Sequence, residues 1–202
     1  MGLMEIRRRM MMDSIPDYLR LPSAYDKLPY ISADGNQSLR TEYVPVQYDE
    51  FHVRFNGVGS GAILSAGTGT YQLVMIGGFS STGWYYRCFS SATVYARAGY
   101  TAGQWYDVDI DRDGTMHTND KTFLSSYEAP LDGAAQTLWI AERRSAMQPY
   151  IGHIAEFWIK NNGKFKMYLI PCRRKSDQKV GMYDTIGKQF YTSARSDFIA
   201  GT

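Results

Sequence analysis

The chain has 202 residues, 44% apolar and 14% aromatic, enough for one large domain with a real core and thin for two. A formal net charge of +2, with Lys and Arg scattered, argues against nucleic acid as a partner. No run approaches the ~18 apolar residues of a membrane helix, so no membrane partner is expected.

Residues 1–20 stand apart. Leu3, Ile6 and Met10 share one side of a short helical repeat, with Arg7, Arg8 and Arg9 opposite. A helix this short is marginal in water, which predicts a basic arm that orders only against a partner. Asp13, Ser14 and Pro16 follow at once where a secretory signal would need an apolar stretch, so no signal peptide is expected. Pro16 to Pro22 reads as a linker, and a single domain is expected over residues 21–202.

From Tyr30 onward the text is that of short strands. Sixteen Tyr, nine Phe and nineteen Gly suit pleated surfaces and tight turns. Phe51 to Phe55 alternates with period two and is bounded by Asn56-Gly57. Ala62–Ser65 and Tyr71–Ile76 are strand candidates, with turns at Gly77-Gly78 and Thr82-Gly83 around Trp84 to Phe89. Trp105 to Ile110 alternates, turns at Asp113-Gly114 and returns from Thr115 to Phe123. Thr137–Ala141 follows, then a long pair, Tyr150–Lys160 and Lys164–Cys172, joined by Asn161-Asn162-Gly163. Val180–Asp184 and Gln189–Thr192 close the series. Turn signals about every ten residues, with no helical periodicity after the arm, predict an all-β sandwich or jelly roll. Cys88 and Cys172 belong to no CxxC pair; one disulfide is possible, and two buried thiols on strands are the expectation.

The most specific text is C-terminal. Ile154–Ile159, the Asn161-Asn162-Gly163 turn, Ile170-Pro171-Cys172-Arg173-Arg174-Lys175-Ser176-Asp177, Val180–Asp184, Phe190-Tyr191-Thr192 and Phe198–Gly201 follow one another. This succession resembles the concanavalin A-like, LamG-like domains carried by phages and prophages of gut bacteria, and Leu28 to Gln37 is similar to their usual opening. The resemblance spans about residues 21–202. It implies a two-sheet antiparallel jelly roll and a place in a virion, with the protein assembled in the bacterial cytoplasm and carried in the particle.

Three constellations invite chemistry. Asp107, Asp109 and Asp111 have the spacing of carboxylates on one strand face, but the laminarinase-type pattern of this fold uses Glu as well, so catalysis is not expected. Asp109, Asp111, Asp113 and Asp120 match the spacing of a Ca²⁺ loop with Gly114 at its sixth position; the flanking strands and the Asp at position twelve favour a plain hairpin. Sugar rings carry apolar C–H faces, so flat aromatics on loops are the better lead. Trp84, Tyr85, Tyr86 and Tyr100 lie in Gly/Ser-rich turn regions suited to such a platform. His52, His117 and His153 are read as ordinary strand residues.

The expectation is therefore a non-enzymatic virion protein, a head or tail decoration or fibre head, that binds host-surface or mucosal glycans. The arm anchors it to other virion proteins, and a homo-oligomer multiplies weak contacts. The alternatives are a purely structural decoration protein and, further off, a glycoside hydrolase.

Overall fold

Turn chemistry and period-two alternation decide where the strands fall. The structure is a computed structural model describing residue 16 and residues 19–58, 61–68, 71–80, 83–88, 94–96, 101–118, 122–123, 136–143 and 148–202; residues 67–68, 71–80, 83–88, 94–96, 123, 142–143 and 148–149 are described by their backbone alone. The first strands are β1 (Tyr25–Lys27), β2 (Ile31–Asp34), β3 (Leu39–Arg40), β4 (Asp49–Gly57), β5 (Ala62–Thr68), β6 (Tyr71–Ser80), β7 (Gly83–Cys88) and β8 (Val94–Ala96). Next come β9 (Trp105–Ile110), β10 (Met116–His117), β11 (Thr122–Phe123), β12 (Trp139–Ile140), β13 (Glu142–Arg143) and β14 (Gln148–Pro149). The C-terminal set is β15 (Ile151–Asn161), β16 (Lys164–Arg174), β17 (Val180–Asp184), β18 (Gln189–Tyr191) and β19 (Ile199–Ala200).

The larger sheet runs β11-β10-β9-β4-β15-β16-β17-β18. β2 pairs the first half of β15, β1 pairs the far end of β16, and β19 pairs β2. The second sheet runs β3-β12-β5-β6-β7-β8, and β13-β14 form a short ribbon. Pairing is antiparallel throughout the described strands, which makes the protein an all-β, two-sheet sandwich. Its core holds Phe51, Val53 and Phe55 of β4, Val108 and Ile110 of β9, and Ile154, Phe157 and Ile159 of β15 against Leu64, Ala66 and Ile140 of the second sheet. Each Val, Leu, Ile and Phe among them contributes about 1.5–3 kcal/mol by leaving water.

The β15–β16 hairpin shows how local text sets register. Asn161 pairs with Lys164, leaving Asn162 (φ 51°) and Gly163 (φ 72°) as a two-residue turn. Two consecutive left-handed residues are what a type I′ hairpin needs. The resembling C-terminal text is structural. Arg174 binds Asp177 at 3.0 and 2.6 Å across the β16–β17 turn, and Lys175 reaches back to the Ser23 carbonyl at 2.8 Å. Tyr25 packs against Tyr183 and Phe190 with centroids 4.8 and 5.3 Å apart, pinning β1 to the sheet.

Three expectations are corrected. Gly77-Gly78 is no turn: it lies inside β6, where the β6–β7 register shifts between Gly77 and Ser80. Glycine within a strand marks such irregularities as readily as a turn. The return from Thr115 to Phe123 is broken into β10 and β11, which pair with each other. Asn56-Gly57 does not stop β4 early, because Gly57 still pairs with Gly152. Cys172 is a free, buried thiol, as expected, and burial pushes it up to about 12.

Candidate functional site

Because β4 turns Phe51, Val53 and Phe55 inward, His52, Arg54 and Asn56 take the opposite face of the larger sheet. Trp105, Asp107 and Asp109 alternate out of β9 in the same way. Register aligns these side chains into rows across the strands. Asp109, His52, Trp158 and Tyr168 form the first row; Asp107, Arg54 and Glu156 the second; Trp105, Asn56, His153 and Ser32 the third.

Glu156 owes its place to a β-bulge. On β15, Ile154 pairs with Phe55 and Glu156 with Arg54, so Ala155 is an extra residue between them. Burial along β15 accordingly reads inward at Ile154, outward at both Ala155 and Glu156, and inward again at Phe157. Strict alternation would have sent Glu156 into the core. Bulges re-aim side chains in this way, often beside binding sites.

In the first row, His52 Nδ1 lies 2.9 Å from Asp109 Oδ1, and its ring stacks on Trp158 at 5.2 Å with an 8° interplanar angle. Lys160 Nζ sits 4.4 Å from the Trp158 centroid and 4.5 Å from that of Phe165. In the second row, Arg54 Nε is 3.8 Å from Asp107 Oδ1, and its guanidinium carbon is 5.7 Å from the Trp105 ring centre. The Tyr168 hydroxyl donates to Glu156 Oε1 at 2.5 Å. Burial, reinforced by that carboxylate, pushes the Tyr168 phenol up, so it remains a donor. In the third row, Tyr30 lies 4.7 Å from His153 and 5.7 Å from Trp105 between ring centres. His153 Nδ1 is 2.8 Å from Ser32 Oγ, and burial holds this imidazole below its ordinary value.

A cleft of about 460 Å³ opens over the second and third rows, with Tyr30, Trp105, Arg54, Glu156 and Lys27 in its walls. Beside it lies a recess of about 200 Å³ that shares Lys27, Ala155 and Glu156 and adds Tyr168, Pro171 and Leu19. Leu19 comes from the segment read as a linker, so that segment contributes to the site. Aromatic faces with a few fixed hydrogen-bonding groups in a concave surface suit a small polar ligand with apolar faces.

The aromatic platform predicted from sequence is not this one. Trp84, Tyr85 and Tyr86 are inside β7 of the second sheet, Tyr85 and Tyr86 paired with both β6 and β8 and Trp84 with β8, instead of in a turn region. Tyr100 lies outside the described residues, as do Leu3, Ile6, Arg7, Arg8, Arg9 and Met10 of the arm. Among the proposed calcium ligands, Asp109 binds His52, Asp111 Oδ2 lies 2.9 Å from His117 Nε2, and Asp113 accepts from the Thr115 amide at 2.9 Å. That last bond holds the Asp113 carboxyl below the usual range. Calcium takes six to eight converging oxygens. These three carboxylates are divided among three partners, Asp120 is outside the described residues, and no group of three or more candidate ligands converges among those described. Asp107 and Asp109 do share one strand face, whereas Asp111 falls beyond the end of β9. Of the residues missed, Arg54 and Trp105 had a signal, the outward positions of the alternating runs at 51–55 and 105–110, whereas Tyr30, His153, Glu156 and Tyr168 lie outside those runs.

Fold and face together define an antiparallel two-sheet β-sandwich with an aromatic and polar cleft on its larger sheet. No protein-family model matches the chain, and no curated protein matches it significantly. Among solved structures, a native heptameric SAP-like pentraxin from Limulus polyphemus is similar at 18% identity, over 66% of this chain and 73% of that one, with a TM-score of 0.47. A protein from Bacteroides ovatus described as a candidate carbohydrate-binding protein superposes with a TM-score of 0.56 and 11% identity, over 87% of this chain. The chain spans 61% of that protein's length. At such identity the likeness is one of fold.

Proposed function

We propose that this protein binds glycans, without hydrolysing them, through the outer face of its larger sheet. The observation that carries the reading is the cleft of about 460 Å³ in which Tyr30 and Trp105 stand beside Arg54 and Glu156. Aromatic faces meet the apolar side of a sugar ring, and paired charged groups bind its hydroxyls. The carbohydrate-binding description of the Bacteroides ovatus protein agrees with this reading. A virion setting, as a phage decoration or fibre head anchored by residues 1–20, is supported by the C-terminal sequence resemblance alone.

The test is a glycan array probed with multimerised protein, with Trp105→Ala as the matched control. Binding that the substitution removes supports the reading, and a blank array with folded protein overturns it. Release of sugars from β-glucans or host capsule would overturn the non-enzymatic part.

A purely structural role has one observation in its favour. Val58, Ile151 and Ile199 are exposed apolar residues at one end of the same sheet, and Ile151 and Ile199 pair with Asp34 and Ser32 of β2. Such a strip suits packing against a neighbouring protein. Ile199→Asp abolishing particle assembly, with a blank array, would favour that role.

A further inference from the structure

We infer that the ligand of this face is an uncharged oligosaccharide of at least two sugars, lying obliquely across the strands from Trp105 to Tyr168. The inference rests on the glycan-binding reading and adds the length, direction and charge of the ligand. The cleft and the recess share Lys27, Ala155 and Glu156, so they form one groove. Trp105 stands on β9 and Tyr168 on β16, with β4 and β15 between them. Three interstrand spacings of roughly 4.8 Å make about 14 Å across the strands, and the shift from the third row to the first, four residues of roughly 3.3 Å each, lengthens the line between them. One six-membered ring with its hydroxyls covers less than half of that.

The lining changes along the groove in the same sense. Trp105 and Tyr30 offer ring faces at one end, and Leu19 and Pro171 offer apolar surface at the other. Arg54 and Glu156, opposite each other on adjacent strands, lie between them. Apolar contacts at both ends with hydrogen-bonding groups in the middle match two successive sugar rings joined over the Arg54–Glu156 pair. Tyr168 acts as a positioning residue: it engages Oε1 of Glu156 and leaves the second oxygen to accept from a sugar hydroxyl. Charge points to the class of sugar. Lys27 and Glu156 line the groove with opposite charges, and Arg54 is offset from outside the lining by Asp107 at 3.8 Å, so an ionised sugar would bring a charge that these groups do not offset.

Ala155 marks the junction. As the bulge residue common to both parts, it presents only a methyl group where the ligand must pass. The test is calorimetric titration of the full chain with gluco-, manno- and N-acetylglucosamine oligosaccharides of one to four sugars, at low and high salt. For a series that binds, affinity should rise on the order of tenfold from one sugar to three, about 1.4 kcal/mol, and then level off. High salt should leave it unchanged within about twofold. Ala155→Leu should bring the trisaccharide back to monosaccharide affinity, while Ala155→Ser keeps the difference. A monosaccharide that binds as tightly as the trisaccharide, a tenfold loss in high salt, or an Ala155→Leu protein that is folded and unaffected would each overturn the inference while glycan binding stands. Absence of binding in every series would overturn both.

Discussion

Arg54 is half exposed and lies over Trp105, close enough to Asp107 for a loose ion pair and outside the apolar core. Its loss should therefore be read in binding and hardly in stability. Trp105→Ala and Arg54→Ala should each weaken glycan binding on the order of tenfold or more, while the thermal midpoint moves by only a few degrees. Tyr168→Phe should weaken binding too, because Glu156 loses the donor that orients it; circular dichroism should show the fold unchanged. His153 supplies a pH dependence whose sign is set. Burial lowers its folded-state value below the ordinary 6.5, so the unfolded chain takes up a proton that the folded chain refuses. The stability is complete above that value and is lost as pH falls through it. Urea midpoints should drop between about pH 7 and about pH 5, and His153→Asn should flatten that slope.

Among the elements, β15 decides most. It pairs β4 along its whole length, borders β2 and β16 on its other edge, and carries the bulge that turns Glu156 outward. Deleting Ala155 would leave two poor choices: bury Glu156 where Phe157 now packs, or slip the β15–β16 hairpin by one residue and expose Phe157 and Ile159. The expected result is loss of cooperative unfolding or insoluble protein, whereas Ala155→Ser should fold normally. Gly152 on the same strand is equally constrained. Its φ is +152°, and an added Cβ would collide with the Tyr150 hydroxyl and the Asn56 carbonyl. Gly152→Ala should cost about 3 kcal/mol or more in urea unfolding.

At the scale of the molecule, the two sheets share one core, and β1 is clamped to the larger sheet through Tyr25, Asp26 and Lys175. Removing residues 1–15 should leave the thermal midpoint unchanged and, on the virion reading, prevent incorporation into particles. Removing residues 1–20 should also strip Leu19 from the groove and weaken binding of the longer oligosaccharides. Melting with calcium and with chelator tests the Asp109–Asp113 hairpin. No shift is expected from carboxylates already divided among His52, His117 and Thr115, and a rise with calcium would restore it as a cation site.

What was legible in the sequence is what local chemistry controls. Alternation at 51–55 and 105–110, the Asn162-Gly163 turn and the run Val180–Asp184 identify strands and a type I′ hairpin, because side-chain period and left-handed backbone are properties of neighbouring residues. These suffice for an all-β sandwich. The site was not legible, since its members come from β2, β4, β9, β15 and β16 and meet only through strand order and register. The aromatics that stood out in the text, Trp84 to Tyr86, fall on the other sheet, while Trp105 and Tyr30 become a pair only when β9 and the entry to β2 converge on His153. The Ala155 bulge was hidden for the same reason. An extra residue is extra only relative to a partner strand, so tertiary structure alone could turn Glu156 from a buried position into the wall of a groove.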